Sequence, residues 1–348
     1  MASDGLDALA VSSLPNIRYL TGFSGTSALV LVTGGAVEFL SDFRYRDQAR
    51  DEVGGLARIG IEPGGLWERL FKLLPDHGGV SVVGYEAHVL TAREAATLAD
   101  PARPWAFRAA GELVEALRAV KSPEEVAAIR AAGAVATGAL AEAVRQVRPG
   151  QTEMEIAAAL EGALRRHGSE WYPFPTIVAS GPRSALPHAR TSGRVVAPGE
   201  FLLLDFGAVV DGYCSDVTRT FVVGAPPTVD QAAAYGLVQR AQRAALDGLR
   251  AGLTGRQGDA LAREVIAVAG QGDAFGHSLG HGVGLEVHEA PRLAQTAAET
   301  LATGMVVTVE PGVYLEGWGG VRIEDDVVLG EGGATTLTEF PRDLIQLG

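Results

Sequence analysis

The sequence predicts two domains in series, an α/β domain over residues 1–115 and an α+β domain over 116–348 that is built twice over. Three observations carry this. The first third alternates short apolar runs with helical patterns. The rest pairs capped helices with acid-bearing hairpins, and its two halves repeat faintly. A chain of 348 residues is also too long for a single compact core.

In the first domain, 8–12, 27–33, 36–40 and 80–83 read as strands, and 62–74 and 91–99 as helices, the alternation of a three-layer α/β sandwich. His77 and His88 stand alone and read as structural or surface residues. The second domain opens at Lys121-Ser122-Pro123, where Ser122 caps, Pro123 suits the first helical position and Glu125 completes a capping box. That helix is expected to reach Val147. Thr152 with Glu155 and Thr228 with Gln231 open further helices, ending near His167-Gly168 and Arg250, and a fourth lies around 256–269.

The central stretch is Phe201–Asp216, FLLLDFGAVVDGYCSD. Asp205 sits in an apolar run, where burial of its charge is costly without a compensating cation. A two-residue turn at Asp211-Gly212 places Asp205 opposite Thr218, with Asp216 on the same face two residues along. At an offset of 102, Arg148, Gly150, Thr152, Ala158 and Gly168 meet Arg250, Gly252, Thr254, Ala260 and Gly270. Further on, PGEFLLLDFG aligns with TGMVVTVEPG and SDVTRTFVV with IEDDVVLG, which sets Glu310 against Asp205 and Glu324 against Asp216. An internal two-fold would bring these four acids together.

Phe275–Glu289, FGHSLGHGVGLEVHE, adds His277, His281 and His288 among glycines. The glycines argue against a helix and for a closely approached backbone. Ser278 after His277 excludes the HExxH zinc pattern. Four carboxylates with one imidazole are too anionic for one divalent ion and too oxygen-rich for structural zinc. They suit two ions such as Mn²⁺ or Co²⁺, which can share and acidify a water in hydrolysis. Taken singly, Glu310 also reads as a strand-end residue and Glu324 as an ion-pair partner of Arg322.

The net charge of −13 argues against nucleic acid or an anionic membrane as main partner. Cys214 is the single cysteine, which fits a reducing setting. No signal peptide and no run of about 20 apolar residues is apparent, so the sequence reads as cytoplasmic.

Asp205, Asp216, His281, Glu310 and Glu324, in the settings DFG, GYCSDVTRT, GHGVGLEVHE, EPGVY and GGVRIED, closely resemble the pita-bread metallopeptidases. These include prolidase, aminopeptidase P, methionine aminopeptidase and the metal-free creatinase. DALAVSSLPNIRYLTGFSG and SDFRYRDQAR are similar to the creatinase-like N-terminal domain of prolidases, and KSPEEVAAIRAA to the start of their catalytic domain. The resemblance implies that Asp205 binds one metal, Asp216 and Glu324 bridge two, and His281 and Glu310 complete the second site. Glu310 would also handle the proton of the bridging hydroxide. His188 would lie beside the substrate, though by itself it reads as a loop histidine. His277 and His288 would steady the scissile carbonyl. Arg322 would hold Glu324 or a neighbouring acid bidentately.

All five ligands are present, against creatinase, and the N-terminal domain argues against methionine aminopeptidase. Arg292 is placed like an arginine that catches a dipeptide's C-terminal carboxylate, favouring prolidase, although it reads equally as a surface arginine. Hydrolysis of Xaa-Pro dipeptides is therefore expected, with aminopeptidase P as the alternative and a non-catalytic binding protein as a distant third. The resemblance further implies a homodimer and manganese or cobalt, with zinc left open. Asn16, Arg18 and Tyr19 are candidates for a loop over a partner's site, or for a plain turn.

Overall fold

The computed structural model describes residue 1, residues 4–61 and residues 63–348. It divides into two units, Met1–Arg118 and Ala119–Gly348.

The first unit is built on a six-stranded mixed sheet whose central strand, Ala8–Val11, pairs antiparallel with Ala28–Thr33 and parallel with Val82–Glu86. Alternate side chains feed two cores, as the two-residue repeat of a strand requires. Leu9 and Val11 pack with Ile17, Ala49, Val53 and Val114 on one face, and Ala8 and Ala10 with Leu70 and Leu74 on the other. This is the expected three-layer sandwich.

Several details differ from the sequence reading. Asn16, Arg18 and Tyr19 are helical, on Leu14–Thr21, because Pro15 starts a helix that Gly22 ends in the left-handed conformation. The fourth expected strand is shifted to Val82–Glu86, and the helix expected over 62–74 spans Leu66–Leu73. Its expected first residue, Glu62, lies outside the described residues. Helices Arg46–Val53 and Leu113–Arg118 and strands Arg58–Ile61 and Ala106–Ala110 were not anticipated, being short. His77 stands 3.3 Å from Glu38 and His88 2.9 Å from Glu115.

The second unit repeats one motif. Helices Pro123–Ala143 and Glu153–Arg166, strand Ile177–Ser180 and a hairpin from Phe201 to Val223 are followed by helices Val229–Gly248 and Gly255–Val268, strand Gly280–Gly282 and a hairpin from Val306 to Leu329. Each half packs its helices behind its own strands. The expected capping boxes at Ser122, Thr152 and Thr228 form, and Thr254 with Gln257 adds a fourth. The first helix gives way after Ala143 to a 3-10 turn rather than continuing to Val147, and the third ends at Gly248. Pro123–Gln146 is long and apolar enough to cross a membrane by length and composition, but Ile129, Ala132, Ala136, Ala139 and Leu140 are sealed inside the unit.

Register decides the site. In the first hairpin Asp205 pairs with Thr218 and Val210 with Tyr213 around Asp211-Gly212, both at positive φ (49° and 76°), as a type I′ turn requires. In the second, Val309 pairs with Asp325 and Gly312 with Arg322. Glu310 and Glu324 therefore stand opposite one another between the two ladders. The hairpins meet edge to edge: Glu324 N donates to the Thr218 carbonyl at 3.1 Å and Asp216 N to Asp326 Oδ2 at 2.9 Å.

Candidate active site

Asp205, Asp216, Glu310 and Glu324 from the hairpins meet His281 from Gly280–Gly282 in one cavity of about 900 Å³. His188, His277, His288, Arg292 and Arg322 line it too, with Phe174, Pro175 and Ile177 as an apolar wall. All ten residues singled out in the sequence are thus brought together. Gly280 and Gly282 explain themselves here, because a Cβ on either would fall on the Thr308 or Ala290 carbonyl of a neighbouring strand.

Ligand atoms of Asp216, His281 and Glu324 lie within 4.8 Å of one another. His281 Nδ1 lies 3.1 Å from the Gly282 carbonyl, which directs Nε2 toward Glu310 Oε1 (3.4 Å) and Asp216 Oδ2 (3.8 Å). A backbone carbonyl on the far nitrogen is the usual way to orient a metal-binding imidazole. Burial, reinforced by Glu324, Asp205, Asp326 and Glu310, holds the Asp216 carboxyl well above its ordinary range. Glu324 is raised likewise by burial and then by Glu310 and Asp205, and burial pushes Glu310 up to about 8. Asp216 Oδ1 is buried without a hydrogen bond. Acids this close cannot all ionise without added positive charge. The residues therefore fit divalent cations, which would turn mutual repulsion into coordination.

Arg322 meets half of its expectation, holding an acid that neighbours Glu324 but not bidentately. It binds Asp205, through Nη2 to Oδ2 at 2.5 Å, not Glu324. Its Nε donates to Thr218 Oγ1 (3.0 Å) and Nη1 to Tyr314 Oη (2.8 Å), so no bidentate fork remains for one carboxylate. Glu324 instead accepts from Thr218 Oγ1 at 2.5 Å. His277 also differs. Its Nδ1 is 2.8 Å from the Ser278 carbonyl and its Nε2 3.0 Å from Tyr314 Oη, so both ring nitrogens are engaged within the protein. With Nδ1 donating, Nε2 accepts from Tyr314, whose oxygen accepts from Arg322. Burial holds this imidazole neutral, with its pKa down at about 4.

The site rests on ion pairs behind it. Arg263, paired with Asp259, donates to the carbonyls of Phe275 and His277, and Asp259 accepts from Leu279 N. Sequence reasoning missed Tyr314 and Asp326, and placed Thr218 opposite Asp205 without giving it a role. Each carried a signal: Tyr314 closes the EPGVY motif, Thr218 pairs with Asp205, and Asp326 shares the Glu324 face two residues on.

Residues 127–331 match the model of metallopeptidase family M24, and residues 1–120 match the Creatinase/Prolidase N-terminal domain. The chain belongs to family M24, whose members are divalent-metal-dependent peptidases, and it has the prolidase form of the pita-bread fold. It is similar to a solved Xaa-Pro dipeptidase from Bacillus anthracis, with 40% identity, TM-score 0.95 and coverage of 99% of this chain and 96% of that one. An X-Pro aminopeptidase structure from Thermotoga maritima follows at 36%, TM-score 0.92, with 99% and 97% covered. The Xaa-Pro dipeptidase of Pyrococcus horikoshii is 36% identical over 99% of this chain and 96% of its own.

Proposed function

We propose that this protein hydrolyses the Xaa-Pro bond of dipeptides, with two divalent ions, manganese or cobalt, held by Asp205, Asp216, His281, Glu310 and Glu324. One observation carries the reading: a clustered, charge-frustrated ligand set shares a cavity with a free-standing arginine. Arg292 is exposed on Glu289–Leu293, lines the cavity and has no side-chain partner among the described residues. Its planar guanidinium suits the free carboxylate of a dipeptide.

Ions held by these five residues would supply Lewis acidity, to polarise the scissile carbonyl and lower the pKa of a water. The chain supplies the rest. Arg322 orients Asp205 and opposes the burial that pushes its carboxyl above the ordinary range. A Glu310 carboxylate oxygen takes the proton of the attacking water and returns it to the proline nitrogen as the C–N bond breaks. His188 and His288, on the cavity wall, donate to the carbonyl oxygen as it gains charge. His277, whose nitrogens are engaged, fixes Tyr314 and Arg322 rather than touching substrate. Phe174, Pro175 and Ile177 offer the pyrrolidine ring an apolar surface. The resemblance to prolidases supports a homodimer, and the lone buried cysteine is compatible with the cytoplasm.

The test is hydrolysis of Ala-Pro beside Ala-Pro-Ala-Ala after chelation and addition of Mn²⁺ or Co²⁺. Cleavage of Ala-Pro alone is expected. Equal or better cleavage of the longer peptide would make the enzyme an aminopeptidase P, the activity named for the Thermotoga relative. Cleavage of neither would end the hydrolytic reading.

A further inference from the structure

We infer that the buried ion pair between Lys121 and Glu289 positions the strand that carries His288 and Arg292, and so governs turnover without touching substrate. This rests on the roles proposed above for those two residues.

The strand Glu289–Leu293 and its flanks present alternate residues to the cavity: His288, Arg292 and Ala294 line it. The intervening side chains face inward, as the two-residue repeat demands. Pro291 and Leu293 are buried, so this inward row is apolar except at its first member. That member, Glu289, directly follows His288. Its carboxylate meets Lys121 Nζ at 2.7 Å, with side-chain exposures of 5% and 1%. An apolar side chain would fill such a place at less desolvation cost, and a buried ion pair is weak evidence for stability. What the pair supplies is a fixed separation.

Both ends are anchored. Lys121 N donates to the Gly304 carbonyl at 3.0 Å, just ahead of the hairpin that bears Glu310 and Glu324. Glu289 pairs with Gly282, next to His281, across a register shift. Gly284 leaves room for the pair, because a Cβ there would fall on Glu289 Oε1. Lys121 therefore ties the acid-bearing hairpin to the strand that begins beside His288, and the His288 ring sits 4.2 Å from that of His281. Lost geometry at a reacting centre can cost about a hundredfold in rate for a displacement of ~1 Å.

The test is a cycle on Ala-Pro hydrolysis with metal-saturated wild type, Glu289→Gln, His288→Ala and the double variant. Glu289→Gln should lower kcat at least about tenfold and leave metal content unchanged. In the His288→Ala background it should cost no further kcat, because the group acting on the carbonyl is gone, while a displaced Arg292, which binds the carboxylate, shows in KM instead. A crystal structure of Glu289→Gln should show the His288 ring displaced from His281. Activity within twofold of wild type, an equal loss in both backgrounds, or loss of metal would each overturn the inference. Should Glu289→Gln not fold, Lys121→Met/Glu289→Leu leaves no lone buried charge. That variant should fold, hold metal and turn over slowly. Wild-type rates, or failure to fold, would overturn the inference. Inactivity of wild type itself is a different result: it removes the functional reading, and the His288 position in the variant crystal then decides the positioning claim alone.

Discussion

Arg219 and Asp325, both sealed from solvent, meet at 2.8 Å between the two hairpins, three residues past Asp216 and one past Glu324. Arg219 also donates to the carbonyls of Thr218, Glu324, Phe340 and Pro341. Asp325 collects Arg342, Gln242 and Thr338. This pair fixes the seam on which the acids face each other.

Arg219→Met should therefore destabilise the protein by about 3–5 kcal/mol, the cost of stripping one partner from a buried pair. Urea unfolding of chelator-treated protein measures it. A midpoint equal to that of wild type would show the seam held by packing alone.

Asp216→Ala and Glu324→Ala should each abolish metal binding and Ala-Pro hydrolysis together, because these two residues share the tightest group of ligand atoms with His281. Metal analysis and kinetics on the same preparation check this. Full activity in either variant contradicts a shared-ion site.

Stability without metal should fall as pH rises from about 6.5 to about 8. Above an ordinary pKa of 6.5, His277 and His281, held down at about 4, are neutral folded or unfolded. Glu310, pushed up to about 8 from 4.5, keeps a proton in the folded state that the unfolded chain has lost. The folded state binds more protons, so its advantage fades through this window. Asp216 and Glu324 act in the same direction. Metal takes the proton's place, so added Mn²⁺ should raise the Tm more at pH 8 than at pH 6.5. Calorimetry of chelated protein decides, and a Tm rising across the window contradicts the argument.

Tyr314→Phe removes the oxygen shared by Arg322 and His277. Leaving buried groups unsatisfied should cost about 1–3 kcal/mol, and kcat should fall because Arg322 loses one of its guides to Asp205. Urea midpoints and Ala-Pro kinetics measure both. Unchanged kcat would confine Tyr314 to packing.

Much of the site was legible in sequence because its signals are local. A carboxylate inside FLLLDFG, a turn at Asp211-Gly212 and period-two arithmetic suffice to set Asp205 opposite Thr218. Glycines at 280 and 282 announced close backbone contact before any partner was known. The short helices of the first unit were not legible, since an eight-residue helix such as Arg46–Val53 draws its stability from the sheet it covers.

The sequence by itself determined the ligand types, their order and the face each occupies along its strand, because those follow from covalent spacing. Only the tertiary structure decided the pairings among them: Arg322 with Asp205 rather than Glu324, His277 with Tyr314, Lys121 with Glu289. A buried charge takes the complementary group that packing brings within reach, and for Lys121 and Glu289 that contact spans more than a hundred residues of chain.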